Sequence, residues 1–276
     1  MVSSTSTTHE DATAESRSPH SACRTSLSDS DALANKVVVV VGGTGGIGRA
    51  LADALVARQC CVVIASRNAP QGTSESGTWN CEHVVCDVRE SDTVAAAFNL
   101  VMERHERIDI VVNCAGIGRS ASSRNWVEPI MTLSDDDWQE VSDTNLRGMF
   151  LIARAAAIRM IPQGSGQIVN ISSARGAIRG LPFASAYCAT KMATKAMFES
   201  LAEELARFGI RVWSLLPDAV ATELIADTTL GKRGMIDAAK LGALIADLLA
   251  FPADAALNDL LVAPFVPTNA AVGGIL

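Results

Sequence analysis

Val37-Val38-Val39-Val40-Val41-Gly42-Gly43-Thr44-Gly45-Gly46-Ile47-Gly48 decides the fold. Five β-branched residues in a row show no polar alternation, the pattern of a strand buried on both faces. Glycines follow at once, and helical periodicity takes over at residues 49–58. Glycine lets the backbone turn sharply and lets an anion approach with no Cβ in the way. The first turn of the helix then presents unpaired N–H groups and a partial positive charge. This strand–turn–helix unit predicts a phosphate or pyrophosphate site.

Working outward, short β-branched runs alternate with amphipathic stretches. Residues 61–65, 83–86, 108–113, 167–172, 210–216 and 259–263 read as further strands. Ser91 is placed to cap a helix running to residue 105. Ser134 and Asp137 form a capping-box pattern that opens one long helix through residues 138–160. Two more helices are predicted over 184–208 and 236–250. Strands alternating with helices imply right-handed crossovers and an α/β, doubly wound parallel sheet of about seven strands, Rossmann-like, with helices on both faces. Its ligand crevice is expected at the carboxyl ends of the strands.

Residues 1–33 differ from the rest. They are rich in Ser and Thr, carry Glu10, Asp11, Glu15, Asp29 and Asp31, and contain no apolar core of a secretory signal. A disordered tail is expected there, followed by a single domain over 34–276. The acidic residues are unlike a transit peptide, although Arg17 and Arg24 keep organelle targeting as an alternative to a cytoplasmic location. No apolar run reaches the length of a membrane span. A net charge of -7 argues against nucleic-acid and anionic-membrane partners. The cysteines and histidines form no metal-ligand spacing, so no catalytic metal is expected.

Two local patterns carry chemistry. Residues 65–68 read Ala-Ser-Arg-Asn. An acid at the end of the second strand binds a ribose 2′-OH and repels a 2′-phosphate, whereas Arg67 can hold that phosphate through forked, charge-assisted bonds. Tyr187 and Lys191 stand four residues apart, on one face of the predicted helix. An ammonium beside the phenol is expected to favour the phenolate, lower its pKa, and fit Tyr187 for general acid–base work.

In these features the chain resembles the short-chain dehydrogenase/reductase family, in its compact single-domain branch. Gly42, Gly46 and Gly48 match the glycines of the family's T-G-x-x-x-G-x-G motif, with Val41 in place of the threonine. Residues 113–116, Asn-Cys-Ala-Gly, resemble N-N-A-G, and residues 217–222 resemble P-G-x-x-x-T with Asp218 in place of the glycine. The resemblance implies a catalytic tetrad of Asn145, Ser173, Tyr187 and Lys191, with Ser172 as the alternative serine. Ser173 and Tyr187 would bond the substrate carbonyl, Lys191 would bond the nicotinamide ribose, and Asn145 would hold a relay water. It further implies cofactor contacts from Gly42, Thr44, Gly46, Ile47, Gly48, Ser66, Arg67, Asp87 (at the adenine), Val88, Asn113, Ala115, Gly116, Tyr187, Lys191, Pro217, Val220 and Thr222.

The implied function is hydride transfer between NADP(H) and a carbonyl or secondary alcohol, with reduction favoured. NAD(H) is the alternative cofactor. The rival readings are an NAD-linked alcohol dehydrogenase and a non-catalytic dinucleotide sensor. A homodimer or homotetramer is implied by the family. Trp126, Phe183 and the segment between Thr222 and Ile236 are expected to shape the substrate pocket.

Overall fold

The computed structural model describes residues 1, 32–69, 81–119, 128–222 and 234–264. The elements, in order, are β1 (Val37–Val41), α1 (Gly46–Val56), β2 (Cys61–Ser66), β3 (Glu82–Val85), α2 (Ser91–His105), β4 (Ile110–Asn113), α3 (Asp135–Ser142), a π-helical turn (Asp143–Arg147), α4 (Gly148–Gln163), β5 (Gly166–Ile171), α5 (Ala174–Ile178), α6 (Ser185–Ala206), β6 (Ile210–Pro217), α7 (Ala238–Leu249) and β7 (Leu260–Val262). The strands form one sheet in the order β3-β2-β1-β4-β5-β6-β7, with every pairing parallel. This is the doubly wound α/β fold expected from the alternation of elements.

The five valines of β1 show why the strand carries no polar alternation. Successive side chains point to opposite faces. Val37, Val39 and Val41 enter a core shared with Phe98 of α2, Ile152 of α4 and Phe198 of α6. Val38 and Val40 enter a second core with Leu51 and Leu55 of α1 and Leu241 and Ile245 of α7. Both faces are covered, so both sets of positions must be apolar. The strand order reverses between β1 and β4, and the crevice opens there.

Several local expectations need correction. Ser91 makes no capping bond at the start of α2, whose N-cap residue is Glu90. Thr93 does the bracing: its Oγ1 accepts from Asp87 N at 3.1 Å and donates to Asp87 O at 2.8 Å. Ser134 does cap the helix, with Oγ accepting from Asp137 N at 3.1 Å. The helix it opens is not uniform, since residues 143–147 widen into the π-helical turn. Residue 236 lies ahead of α7, in an isolated parallel bridge with Val220. The short helix α5, directly after β5, was not anticipated. The tail at residues 2–31, Trp126 and residues 223–233 of the expected lid lie outside the described residues.

Candidate active site

The turn after β1 is built by close approach. Gly42 has φ +75°, and a Cβ there would lie 2.7 Å from Ala115 N. Gly48 packs back on the same turn, where a Cβ would meet Gly42 O at 2.4 Å. Gly42 N donates to Ala65 O at 2.9 Å, and Cys114 N donates to Val41 O at 2.8 Å, so the turn is locked to both neighbouring strands. Val41 thus occupies the motif's threonine position with a backbone bond rather than a side-chain bond. The N-cap of α1 is Gly45, with no side-chain capping bond. The first N–H groups of α1 consequently have no capping side chain that would compete with an anion among the described residues.

Gly42, Gly45 and Gly46 form one wall of a cleft of about 490 Å³. Of the expected cofactor contacts, Gly42, Thr44, Gly46, Ile47, Ser66, Arg67, Asp87, Val88, Ala115, Gly116 and Thr222 all line it. Gly48, Asn113, Pro217, Val220, Tyr187 and Lys191 do not. Asn113 lies behind the wall, its Nδ2 donating to Met149 Sδ at 2.9 Å and its Oδ1 accepting from Ala115 N at 3.3 Å. It shapes the turn from beneath.

At one end of the cleft, Arg67 is exposed, with no ion pair among the described residues. Ser66 Oγ donates to Asn68 O at 2.8 Å and lies 3.0 Å from His83 Nε2. Asp87 is engaged by Arg89, whose N and Nε both donate to Oδ1 at 3.0 Å, with Nη2 donating to Oδ2 at 2.6 Å. The Arg89 guanidinium holds the Asp87 carboxyl below the usual carboxylate range. Arg89 also lines the cleft, as do Arg119, Glu140 and Thr144. Sequence reading missed these four. An Asp two residues before an Arg was the available signal for the first.

The other end of the cleft meets the buried polar group on α6. Tyr187 and Lys191 share one helix face, with Lys191 Nζ 5.8 Å from the Tyr187 ring centroid. Lys191 Nζ donates to Ile171 O, at the end of β5, at 3.3 Å. A Cβ on Gly116 would sit 3.4 Å from Lys191 Nζ and 3.3 Å from Asn145 Oδ1, so both side chains stand directly behind the cleft wall. Asn145 is set by the π-helical turn. Its Oδ1 accepts from Ile117 N at 2.8 Å and its Nδ2 donates to Ile117 O at 2.9 Å. The same Nδ2 donates to Thr190 Oγ1 at 3.2 Å, which ties α6 to that turn.

Between the two candidate serines, the hydroxyl that meets the Tyr187 phenol is that of Ser173. Ser173 Oγ also accepts from Gly176 N at 3.1 Å as the N-cap of α5. Ser172 Oγ is buried and has no hydrogen-bond partner among the described residues.

The net shift at Tyr187 runs opposite to the lowering expected from a neighbouring ammonium. Burial pushes the Tyr187 phenol above its ordinary value, with the Ser173 hydroxyl acting against it. Lys191 is itself pushed down, to about 8, because desolvation disfavours its ammonium. A phenol in this setting stays protonated at neutral pH, as a proton donor must.

Beyond β6, Thr222 closes on the glycine turn, its Cγ2 3.2 Å from where a Gly46 Cβ would be. Phe183, on the loop before α6, is exposed, and its O accepts from Glu128 N at 2.6 Å. No described helix is long and apolar enough to cross a membrane.

Comparison with known proteins agrees with this architecture. The short chain dehydrogenase family model matches residues 36–232. The 3β-hydroxysteroid dehydrogenase of Mediterraneibacter gnavus is 35% identical over 194 residues, covering 68% of this chain and 67% of that protein. The D-threitol dehydrogenase of Mycolicibacterium smegmatis is 36% identical over 207 residues, or 73% and 76% of the two chains. Among solved structures, ligand-free aldohexose dehydrogenase of Thermoplasma acidophilum superposes with a TM-score of 0.72 at 27% identity, covering 85% of this chain and 94% of that one. A variant actinorhodin polyketide ketoreductase with NADPH gives 0.69 at 26% identity, covering 83% and 96%. Sheet order, glycine turn and sequence likeness converge, and the chain belongs to the short-chain dehydrogenase family of oxidoreductases.

Proposed function

We propose that the protein transfers a hydride between NADP(H) and a carbonyl or secondary alcohol, working mainly as a reductase. One observation carries the reading: Tyr187 and Lys191 are buried together, with Ser173 beside the phenol and Asn145 beside the ammonium, against the wall of a cleft that begins at an uncapped helix N-terminus. The dinucleotide supplies or accepts the hydride when bound. The N–H groups around Gly42 and Gly46 would hold its pyrophosphate, Asp87 and Val88 would border the adenine, and Thr222 would close over the far side.

The residues divide the proton chemistry among themselves. Ser173 donates a hydrogen bond to the substrate oxygen and fixes it beside Tyr187. Tyr187 donates its proton to that oxygen in reduction and takes it back in oxidation. Lys191 stabilises the phenolate that develops, an interaction strengthened by the dry surroundings. Asn145 leads the proton path outward from Lys191.

Arg67 supports the choice of NADP(H). It stands at the exposed end of the cleft, where an acid would repel a 2′-phosphate, and no described carboxylate forms an ion pair with it, the Asp87 carboxylate being taken up by Arg89. Arg67→Asp is expected to shift the NADPH/NADH preference towards NADH by on the order of a hundredfold. An unchanged ratio of catalytic efficiencies would remove Arg67 from the phosphate site. The broader test is consumption of NADPH by purified protein across aldehydes, ketones, quinones and oxoacyl thioesters. Binding of NADPH with no consumption in any of them would favour a sensor.

We also infer a homodimer or homotetramer. On α4, Phe150 and Ile158 lie eight residues apart on one face and are 45% and 59% exposed. Such a stripe suits a helix that packs against its copy. Sedimentation at micromolar concentration should show an oligomer for the wild type and a smaller species for Ile158→Asp. A monomeric wild type contradicts the inference.

A further inference from the structure

Asp218 occupies the position at which the family motif has glycine, and its carboxylate has a specific partner. Arg175 Nε donates to Asp218 Oδ1 at 2.7 Å, both side chains being partly buried. Arg175 is the second residue of α5, and Asp218 is the first residue after β6. The Asp218 end is rigidly held. Asp218 N donates to Val262 O of β7 at 2.8 Å, and the bridge between Val220 and Ile236 secures the next turn.

The Arg175 end belongs to a helix of five residues, too short to hold its own shape. That helix is nevertheless pressed against the reacting groups. A Cβ on Gly176 would stand 2.7 Å from Tyr187 Cε1 and 3.1 Å from Lys191 Cβ. The N–H of Gly176 also orients the Ser173 hydroxyl. Any drift of α5 therefore moves Ser173 relative to Tyr187.

We propose that the Arg175–Asp218 ion pair is a positioning clasp that fixes α5 on the end of β6 and so keeps the Ser173 hydroxyl beside the Tyr187 phenol. The clasp rests on the reading of Ser173 and Tyr187 as partners in catalysis. A charge-assisted bond to a guanidinium gives direction as well as attraction. Its value here lies in geometry, because small misplacements near reacting atoms cost turnover steeply.

Tyr187 is the single tyrosine of the chain, which makes a direct test available without a substrate. Protein labelled with 13C at tyrosine Cζ gives one resonance, sensitive to the hydrogen bond on the phenol. At neutral pH, Ser173→Ala should move it. Arg175→Ala and Asp218→Asn should both move it in that same direction, although one removes a positive charge and the other a negative charge. A resonance that stays at the wild-type position in both variants overturns the clasp. So do shifts of opposite sign, which report altered charge rather than altered position. Against any carbonyl that the wild type reduces, Arg175→Ala should lower kcat about tenfold while NADPH affinity is kept. Failure of the oxidoreductase reading would appear as absent turnover in the wild type, leaving the resonance comparison intact.

Discussion

Tyr187→Phe is expected to lower turnover about a thousandfold while NADPH still binds. The substitution removes one hydroxyl and keeps the ring that packs with Leu181, Ala184 and Cys188. Folding should therefore persist, and melting should be close to that of the wild type. What is lost is the proton that must reach the substrate oxygen as the hydride arrives. Burial keeps the wild-type phenol above its ordinary pKa, so the donor is fully loaded at neutral pH. Kinetics with NADPH at saturating carbonyl, beside a fluorescence titration of NADPH, separate the chemical step from binding. Turnover near the wild-type rate would reject Tyr187 as the donor.

Lys191→Met should be nearly as damaging to turnover, yet should leave the fold as stable as before or more stable. Lys191 is 7% exposed, and its ammonium is held at about 8 against an ordinary 10.5. Between those two values the unfolded chain holds the proton and the folded chain does not. Stability from this group therefore rises as pH climbs through that window. Below about 8 both states are protonated, and the folded state bears the whole cost of a buried charge, on the order of 3 kcal/mol. Methionine fills similar space with no charge. The melting temperature of the variant should exceed that of the wild type at neutral pH, and the gap should close as pH approaches 10.5. A gap that widens with pH would mean that Lys191 is stabilised rather than penalised by its surroundings.

The sheet was legible because its signal is local. Val37 to Val41 must serve two cores at once, and only an apolar run can do so. The glycine turn was legible for a similar reason: Gly42 touches Ala115 so closely that no side chain fits. What sequence periodicity could not resolve is shorter or longer-ranged. The π-helical turn around Asn145 keeps the same apolar spacing as the helices on either side, so one uninterrupted helix was expected. The helix α5 is shorter than the window in which a helical period can be recognised.

Pairings between distant loops left no trace either. Arg175 and Asp218 are 43 residues apart. Asp218 read as a departure from a motif, and only the folded chain shows that the carboxylate has an arginine to meet. The sign of the Tyr187 shift depends on burial, which four-residue spacing does not encode. Spacing put Lys191 near the phenol, while desolvation by burial is the largest influence on each group. Candidate residues could thus be listed from sequence, but their ionisation required the packing around them.

The most direct trial of the account uses NADPH carrying deuterium at the transferable C4 position. Wild-type protein, incubated with it and the carbonyl panel, should yield an alcohol with one deuterium on the carbinol carbon, and Tyr187→Phe should yield almost none in the same time. Deuterated alcohol formed equally fast by the variant, or NADPH held by the wild type with no deuterium passed to any carbonyl, would contradict it.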